Sequence, residues 1–129
     1  MPKGDWFPRL FFLSYGVGAF AMAVVDVFFG PFFANQTSFG YAAGWLREIA
    51  AFDVLVAYLC FHTLTQPVDA PSAGVLARAL ALLSLLIASN NVHAFAGSHL
   101  PGHLQAAAIH GVACVVGLAI SFRPARLQA

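Results

Sequence analysis

Four segments of this chain are each long enough and apolar enough to cross a lipid bilayer as an α-helix. The bilayer core is about 30 Å thick and needs about 20 helical residues. Charged residues make up only 9% of the 129-residue chain, whereas soluble domains carry about 25%. The connections are too short for a second domain, so the sequence predicts one all-α membrane domain over residues 1–129. The expected spans are about Leu10–Phe33, Gly44–Leu64, Ala73–Ala96 and Gly102–Phe122.

Basic residues lie on one side of these spans. Lys3 and Arg9 precede the first span, Arg78 lies near the start of the third, and Arg123 and Arg126 follow the fourth. The loops after the first and third spans contain no Lys or Arg. The positive-inside rule therefore places both termini and the loop between spans two and three in the cytoplasm. The predicted fold is an antiparallel four-transmembrane-helix bundle with an N-in/C-in topology.

Charge and cysteine content argue against several classes of protein. The net charge is +1, and no basic run is available to follow a phosphate backbone, so no nucleic-acid partner is expected. Cys60 and Cys114 both lie in apolar segments and form no CxxC pair. This pattern disfavours a thiol relay or a zinc site and is typical of buried small side chains.

Polar side chains from all four spans converge on one layer in the outer half of the membrane. At about 1.5 Å per residue, Asp26 lies roughly 25 Å beyond Arg9, and Asp53 lies about 12 Å below Trp45. Ionisable groups at such depth are costly, normally face the bundle interior, and are functional candidates by default. The members of this layer are Asp26, Glu48, Asp53, Asn90, Asn91, His93, His103 and His110.

The carboxyl groups in this layer predict acid–base chemistry. A carboxyl group in an apolar pocket keeps its proton near neutral pH and can donate it to a substrate. Glu48 is next to Arg47 and is expected to stay ionised, so Asp26 or Asp53 is the better general acid. The fourth catalytic candidate is His110. The residues expected to bind or orient the substrate are Arg47, Asn90, Asn91, His93 and His103.

This chemistry suits the protonation of an epoxide or alkene in a lipophilic molecule, followed by cyclisation or isomerisation. The reaction needs no cofactor and no metal, and the 13 Phe residues offer ring faces that can stabilise a carbocation. The expected partners are a lipophilic small molecule, membrane lipids and a second copy of the chain. The preferred interpretation is a cofactor-independent membrane enzyme.

Other functions stay open at this point. Nitrogen and oxygen ligands for a metal are present, but no ExxH pair occurs, and a bis-His haem would use His93 with His110. An intramembrane carboxyl group can also relay protons in a transporter. Against transport, the polar layer does not continue to the cytoplasmic side. A non-catalytic membrane partner subunit is the remaining alternative.

Two groups of proteins resemble this pattern. The "REIAAFD" segment at the head of the second span, with Asn and His near the end of the third, resembles small bacterial DoxX-like membrane proteins over about residues 10–122. That resemblance implies a four-helix fold in a bacterial inner membrane and no single activity. The acidic intramembrane pocket resembles the small integral-membrane terpene cyclases, and sterol isomerases with paired acids are similar in chemistry. Terpene cyclases of this kind imply an isoprenoid substrate.

Overall fold

The structure is a computed structural model that describes residues 6–30, 43–67 and 70–122, and for 43–47 the backbone alone. The described residues lie in helices or in short connections, which confirms the all-α prediction. They form four α-helices, which are α1 (Trp6–Phe28), α2 (Ala43–Leu64), α3 (Pro71–Ser98) and α4 (Pro101–Ser121).

Helix α1 begins earlier than the sequence predicts. The predicted start lies after Pro8, but the helix begins at Trp6. Pro8 is tolerated there because the first turn of a helix has no intrahelical partner for backbone N–H groups. The helix ends at Phe28, shortly before Gly30. The predicted continuation over 31–33 lies outside the described residues.

Helix α3 is longer than predicted at both ends. Pro71 occupies the first turn, and Ala70 precedes it without a side-chain cap. At the other end, His99 adopts a left-handed conformation with φ 57°, and its N–H bonds the Phe95 carbonyl at 2.8 Å. This left-handed cap closes the helix and starts the short connection to α4.

Three of the four helices are long and apolar enough to cross a membrane, namely α1, α3 and α4. Helix α2 has a comparable length of 22 residues but carries Arg47, Glu48 and Asp53. Many large apolar side chains on the helices are exposed, including Phe28, Phe52 and Ile109. Such a surface is stable in a lipid bilayer and not in water, which supports a membrane protein.

The helices pack as two pairs. Helix α1 packs mainly against α2, and α3 packs mainly against α4, whereas α1 with α4 and α2 with α3 meet over smaller areas. Arg9 near the start of α1 donates a hydrogen bond to the carbonyl of Leu64, the last residue of α2. Asn91 late in α3 bonds His103 early in α4. Each pair therefore brings the start of one helix to the end of its neighbour.

Apolar side chains join the two pairs near the end that carries Arg9. Their shared core contains Phe11, Phe12, Cys60, Ala73, Ala77, Leu80 and Ile120, which come from all four helices. We call this part of the molecule the packed half. The opposite part, which contains Asp26, Asp53, Asn91 and His103, is called the polar half.

Two glycines in the packed half allow close helix contact. A Cβ on Gly16 would lie 3.0 Å from the Cys60 Cβ, and a Cβ on Gly117 would lie 3.0 Å from the Ala77 carbonyl oxygen. Backbone atoms cannot move aside for a new side chain, so Gly117 is required for the observed distance between α3 and α4. Small residues at such contacts are typical of helix packing in membranes.

Candidate functional site

Contacts between the helices fix the relative depth of the candidate residues. Gly16 on α1 lies opposite Cys60 on α2. Helices α1 and α2 run in opposite directions, so seven residues back along α2 correspond to seven residues forward along α1. Asp53, seven residues before Cys60, therefore lies level with Ala23, seven residues after Gly16. Asp26 is three residues beyond Ala23, or about 4–5 Å along the axis. The two carboxyl groups thus occupy neighbouring levels of α1 and α2.

The Asn91–His103 pair lies at almost the same level. Tyr15 on α1 bonds Ser84 on α3 at 2.9 Å, which sets these two helices in register. Asn91 lies seven residues beyond Ser84, or about 10 Å along α3. Helices α1 and α3 run in the same direction, so Asn91 lies level with the residue seven beyond Tyr15, which is residue 22. The structure therefore brings Asp26, Asp53, Asn91 and His103 to within about 6 Å of one another along the bundle axis.

Asp26 and Asp53 form the acidic part of the site. Asp26 is only 7% exposed, and Asp53 is half-buried. Their charges are close enough to interact. Within the described residues, neither carboxyl group is hydrogen-bonded or ion-paired. Two interacting carboxyl groups without a cation have a lower energy when one of them holds a proton.

Glu48 and Arg47 do not join this acidic pair through described contacts. The Glu48 side chain is exposed, and five residues, or about 140° around the helix, separate it from Asp53. The side chain of Arg47 lies outside the described part of the chain. The structure thus places Glu48 on a different face of α2 from the carboxyl group of Asp53.

The second pair of helices contributes a buried hydrogen bond. His103 Nδ1 and Asn91 Oδ1 lie 2.9 Å apart, with His103 fully buried and Asn91 7% exposed. The Asn91 amide also donates to the Ile87 carbonyl at 2.9 Å. The neighbouring candidates Asn90 and His93 are exposed, so only Asn91 of the three points into the protein.

His110 lies outside the polar layer. It follows His103 by seven residues, which puts it about 10 Å closer to the packed half and level with Ser84. Its Nδ1 is buried and has no hydrogen-bond partner among the described residues. His110 is therefore close in depth to the Tyr15–Ser84 bond rather than to Asp26 and Asp53.

Tyr15 and Ser84 are the site residues that sequence reasoning missed. Their hydrogen bond connects α1 of one helix pair with α3 of the other, and Ser84 is fully buried. Tyr15 also lies near Asp53. A tyrosine in mid-span was a usable signal, but a single serine in an Ala- and Leu-rich helix was not.

An open apolar groove of about 430 Å³ lies between α1 and α2 beside the acidic pair. The carboxyl groups of Asp26 and Asp53 lie on adjacent helix faces and are not part of its lining. The groove can hold a hydrocarbon chain but offers no polar group to orient one. Its lining residues are Phe20, Ala23, Val24, Val27, Phe28, Ala50, Ala51 and Val54.

The geometry bears on the metal and haem alternatives. No group of three or more His, Cys, Asp or Glu side chains arranged to hold a metal occurs among the described residues. His93 lies about 3 Å beyond Asn91 and His110 about 10 Å on its other side, so some 13 Å separates the two along the axis. Axial ligands must face one iron from both sides, so the haem pairing of His93 with His110 does not fit this geometry.

Comparisons with known protein families, with curated proteins and with solved structures found no match to this chain.

Proposed function

We propose that this protein is an antiparallel four-helix bundle of the bacterial inner membrane, with both termini in the cytoplasm. Arg9 contacts the last residue of α2. The hydrogen bond between Tyr15 and Ser84 puts these two residues at one level. Arg9 precedes Tyr15 by six residues and Arg78 precedes Ser84 by six residues, so the two arginines also lie at one level. Basic side chains thus share one end of the helices, as the positive-inside rule requires of the cytoplasmic side.

Labelling of single cysteines tests this topology. Gly97→Cys and Ser72→Cys place thiols at opposite ends of α3, and both native residues are exposed; Cys60 and Cys114 are replaced by Ala in both variants. A membrane-impermeant maleimide added to intact spheroplasts should label Gly97→Cys, and Ser72→Cys only after lysis. The reverse pattern would show that the topology is inverted.

For the activity, we infer a cofactor-independent enzyme that protonates a lipophilic, isoprenoid-type substrate. The observation that carries this inference is the Asp26–Asp53 pair, which brings two interacting carboxyl groups together without a described cation. One protonated member of such a pair is a general acid, and the negative charge of its ionised neighbour favours that protonated form. The adjacent apolar groove between α1 and α2 supplies a place for the hydrocarbon part of the substrate.

Turnover by the purified protein in lipid nanodiscs tests the activity. Epoxidised and plain polyprenyl compounds are supplied without a cofactor, and cyclised or isomerised products are detected by mass spectrometry. Asp26→Asn and Asp53→Asn should each lower the rate by about 10²–10⁴-fold, which is the usual contribution of a general acid. Glu48→Gln is the matched control, because Glu48 is exposed, and should retain most of the rate. Full activity in both Asp variants would contradict the proposal.

Proton-coupled transport is the second candidate. The Tyr15–Ser84 bond and His110 add polar groups between the acidic pair and the packed half, where the sequence indicates an apolar region. Acidification of proteoliposomes loaded with a pH-sensitive dye would favour this candidate, provided that Asp53→Asn abolishes the flux. Product formation without flux would favour the enzyme.

A further inference from the structure

Two contacts fix how α3 and α4 lie against each other. A Cβ on Gly117 of α4 would lie 3.0 Å from the Ala77 carbonyl oxygen of α3, so these two residues lie opposite each other. Closer to the other end of the pair, His103 Nδ1 lies 2.9 Å from Asn91 Oδ1. The two contacts are fourteen residues apart on α3 and also fourteen residues apart on α4. The antiparallel helices therefore keep one register between them.

Ser84 and His110 lie opposite each other, halfway between these two contacts. Ser84 is seven residues from the contact residue on either side of it along α3, and His110 is seven residues from those on α4. Residues seven apart lie on nearly the same face of a helix. Ser84 is therefore on the face of α3 that meets α4, and His110 is on the face of α4 that meets α3.

Both residues lie near the middle of their helices. Ser84 comes thirteen residues after the start of α3 and fourteen before its end, and His110 comes nine residues after the start of α4 and eleven before its end. In a bilayer this depth is the farthest from bulk water. A buried polar group that makes no hydrogen bond there costs free energy, because no solvent can replace the missing partner.

The hydrogen bonds at this level are unequally distributed. Ser84 is fully buried, and its Oγ lies 2.9 Å from the Tyr15 hydroxyl oxygen. His110 Nδ1 is also buried but has no hydrogen-bond partner among the described residues. A serine hydroxyl has one hydrogen and two lone pairs, so Ser84 can make a further hydrogen bond besides the one with Tyr15.

We propose that Ser84 and His110 hold a water molecule between them, and that this water continues the hydrogen-bond chain that begins at Tyr15. Buried waters typically bond polar groups that are otherwise unsatisfied, and a site for one needs roughly two to four polar partners. His110 Nδ1 and Ser84 Oγ supply two. A water can donate to one of these atoms while it bonds the other, so it satisfies both side chains.

The surroundings of this site fit a molecule as small as water. Ser84 has no exposed surface, and the nearby contact of Gly117 with Ala77 leaves no space even for one added carbon atom. A metal ion is disfavoured, because no group of three or more His, Cys, Asp or Glu side chains suited to a metal occurs in the described part of the chain.

The resulting chain crosses the bundle at the middle of the membrane. It runs from Tyr15 on α1 through Ser84 on α3 to His110 on α4, and so joins the two helix pairs by hydrogen bonds. The water adds exchangeable hydrogens at a depth where the lipid supplies none. The inference is independent of the proposed acid–base activity, because no member of the chain belongs to the Asp26–Asp53 pair.

Water-edited nuclear magnetic resonance of ¹⁵N-histidine-labelled protein in nanodiscs tests the site without relying on activity. Magnetisation that starts on water protons reaches a ring nitrogen quickly only when a water molecule is next to it. The His110 signal is identified by its loss in His110→Gln. We expect rapid transfer to His110 in the wild-type protein. A folded wild-type protein without this transfer would overturn the proposal.

A histidine at the same depth on the lipid-facing side of α4 is the matched control. Ile109 is the neighbour of His110 and is 67% exposed, so Ile109→His places an imidazole among the lipid chains. This imidazole should receive no rapid transfer. Equal transfer to positions 109 and 110 would show that water reaches this depth without a site, which contradicts the proposal.

Two serine substitutions on α3 test whether Ser84 holds the water. Ser84→Ala removes one of the two proposed partners, and transfer to His110 should be lost. Ser98→Ala removes a hydroxyl that bonds the Ala94 carbonyl near the end of the helix, and it should leave the transfer unchanged. Unchanged transfer in a folded Ser84→Ala protein would refute the role of Ser84.

Tyrosine substitutions test the continuation of the chain to α1. Tyr15→Phe removes the hydroxyl that bonds Ser84, so the ring nitrogen signals of His110 should shift although the water stays in place. Tyr58→Phe changes a tyrosine that is 62% exposed and should cause no shift. If the His110 signals are the same in Tyr15→Phe and in the wild type, the proposed chain from Tyr15 to His110 is wrong.

Discussion

The packed half and the polar half use the same four helices in opposite ways. In the packed half, Phe12 is fully buried and large apolar side chains from both helix pairs meet in one core. In the polar half, the buried side chains are small or polar, such as Ala23, Asp26 and His103. Close packing stabilises a fold, whereas buried polar groups cost free energy unless they are bonded.

The part of the molecule that stabilises the fold and the part that holds the candidate acids therefore lie at different levels along the bundle axis. The packed half holds the helix pairs together, and the polar half can then keep Asp26 and Asp53 close without a described cation. Local arrangements that cost stability persist when the rest of the fold supports them, and they concentrate at functional sites. We therefore predict that substitutions in the two halves change stability with opposite signs.

The largest expected effect is at Phe12 in the packed half. Phe12→Ala leaves a cavity in a contact that α1 makes with the other helices, and it should lower the free energy of unfolding by about 3–5 kcal/mol. Unfolding by sodium dodecyl sulfate in mixed micelles measures this change. Phe20→Ala is the matched control on the same helix, because Phe20 is 55% exposed. Equal losses in the two variants would show that the packed half is not the stabilising part.

A smaller loss is expected at Gly117. A Cβ at this position would lie 3.0 Å from the Ala77 carbonyl oxygen and 3.1 Å from the Ala81 Cβ, so Gly117→Val overpacks the contact at a cost of about 1–3 kcal/mol. Thermal unfolding in detergent is the measurement. Gly111→Val on the same helix meets no atom within 4 Å and should change stability much less. A more stable Gly117→Val protein would contradict the close approach of α3 and α4.

The smallest effect, and the one with the opposite sign, is expected at Asp26 in the polar half. Asp26→Asn removes a buried carboxyl group that has no described partner, so the free energy of unfolding should rise by about 0.5–2 kcal/mol. The unfolding assay used for Phe12 applies here too. A clear loss of stability would mean that Asp26 is a structural residue rather than one held for chemistry.

The helices could be located well from the sequence because apolar length and turn residues are local signals. Helix α2 is predicted from Gly44 to Leu64 and is observed from Ala43 to Leu64. The start of α1 differs because Pro8 suggests a helix boundary, although the first turn of a helix accepts proline. A proline can either precede a helix or lie in its first turn, so the sequence alone does not determine the first residue of α1.

The candidate site was only partly predictable. Depth along the membrane follows from residue spacing, so the sequence points to Asp26, Asp53, Asn91 and His103. The direction in which each side chain points depends on helix rotation, which separates buried Asn91 from exposed Asn90. The sequence carries no signal for the bond between the Tyr15 and Ser84 side chains, because these partners lie 69 residues apart.

The sequence by itself determined that this chain is helical, highly apolar and supplied with polar residues at one depth. Those properties follow from composition and the constant rise of an α-helix. Only the tertiary structure decided that Asp53 lies near Asp26, that His103 bonds Asn91, and that His110 lies elsewhere. These pairings depend on how helices rotate and slide against one another, and that is decided by side-chain packing such as the contact of Gly16 with Cys60.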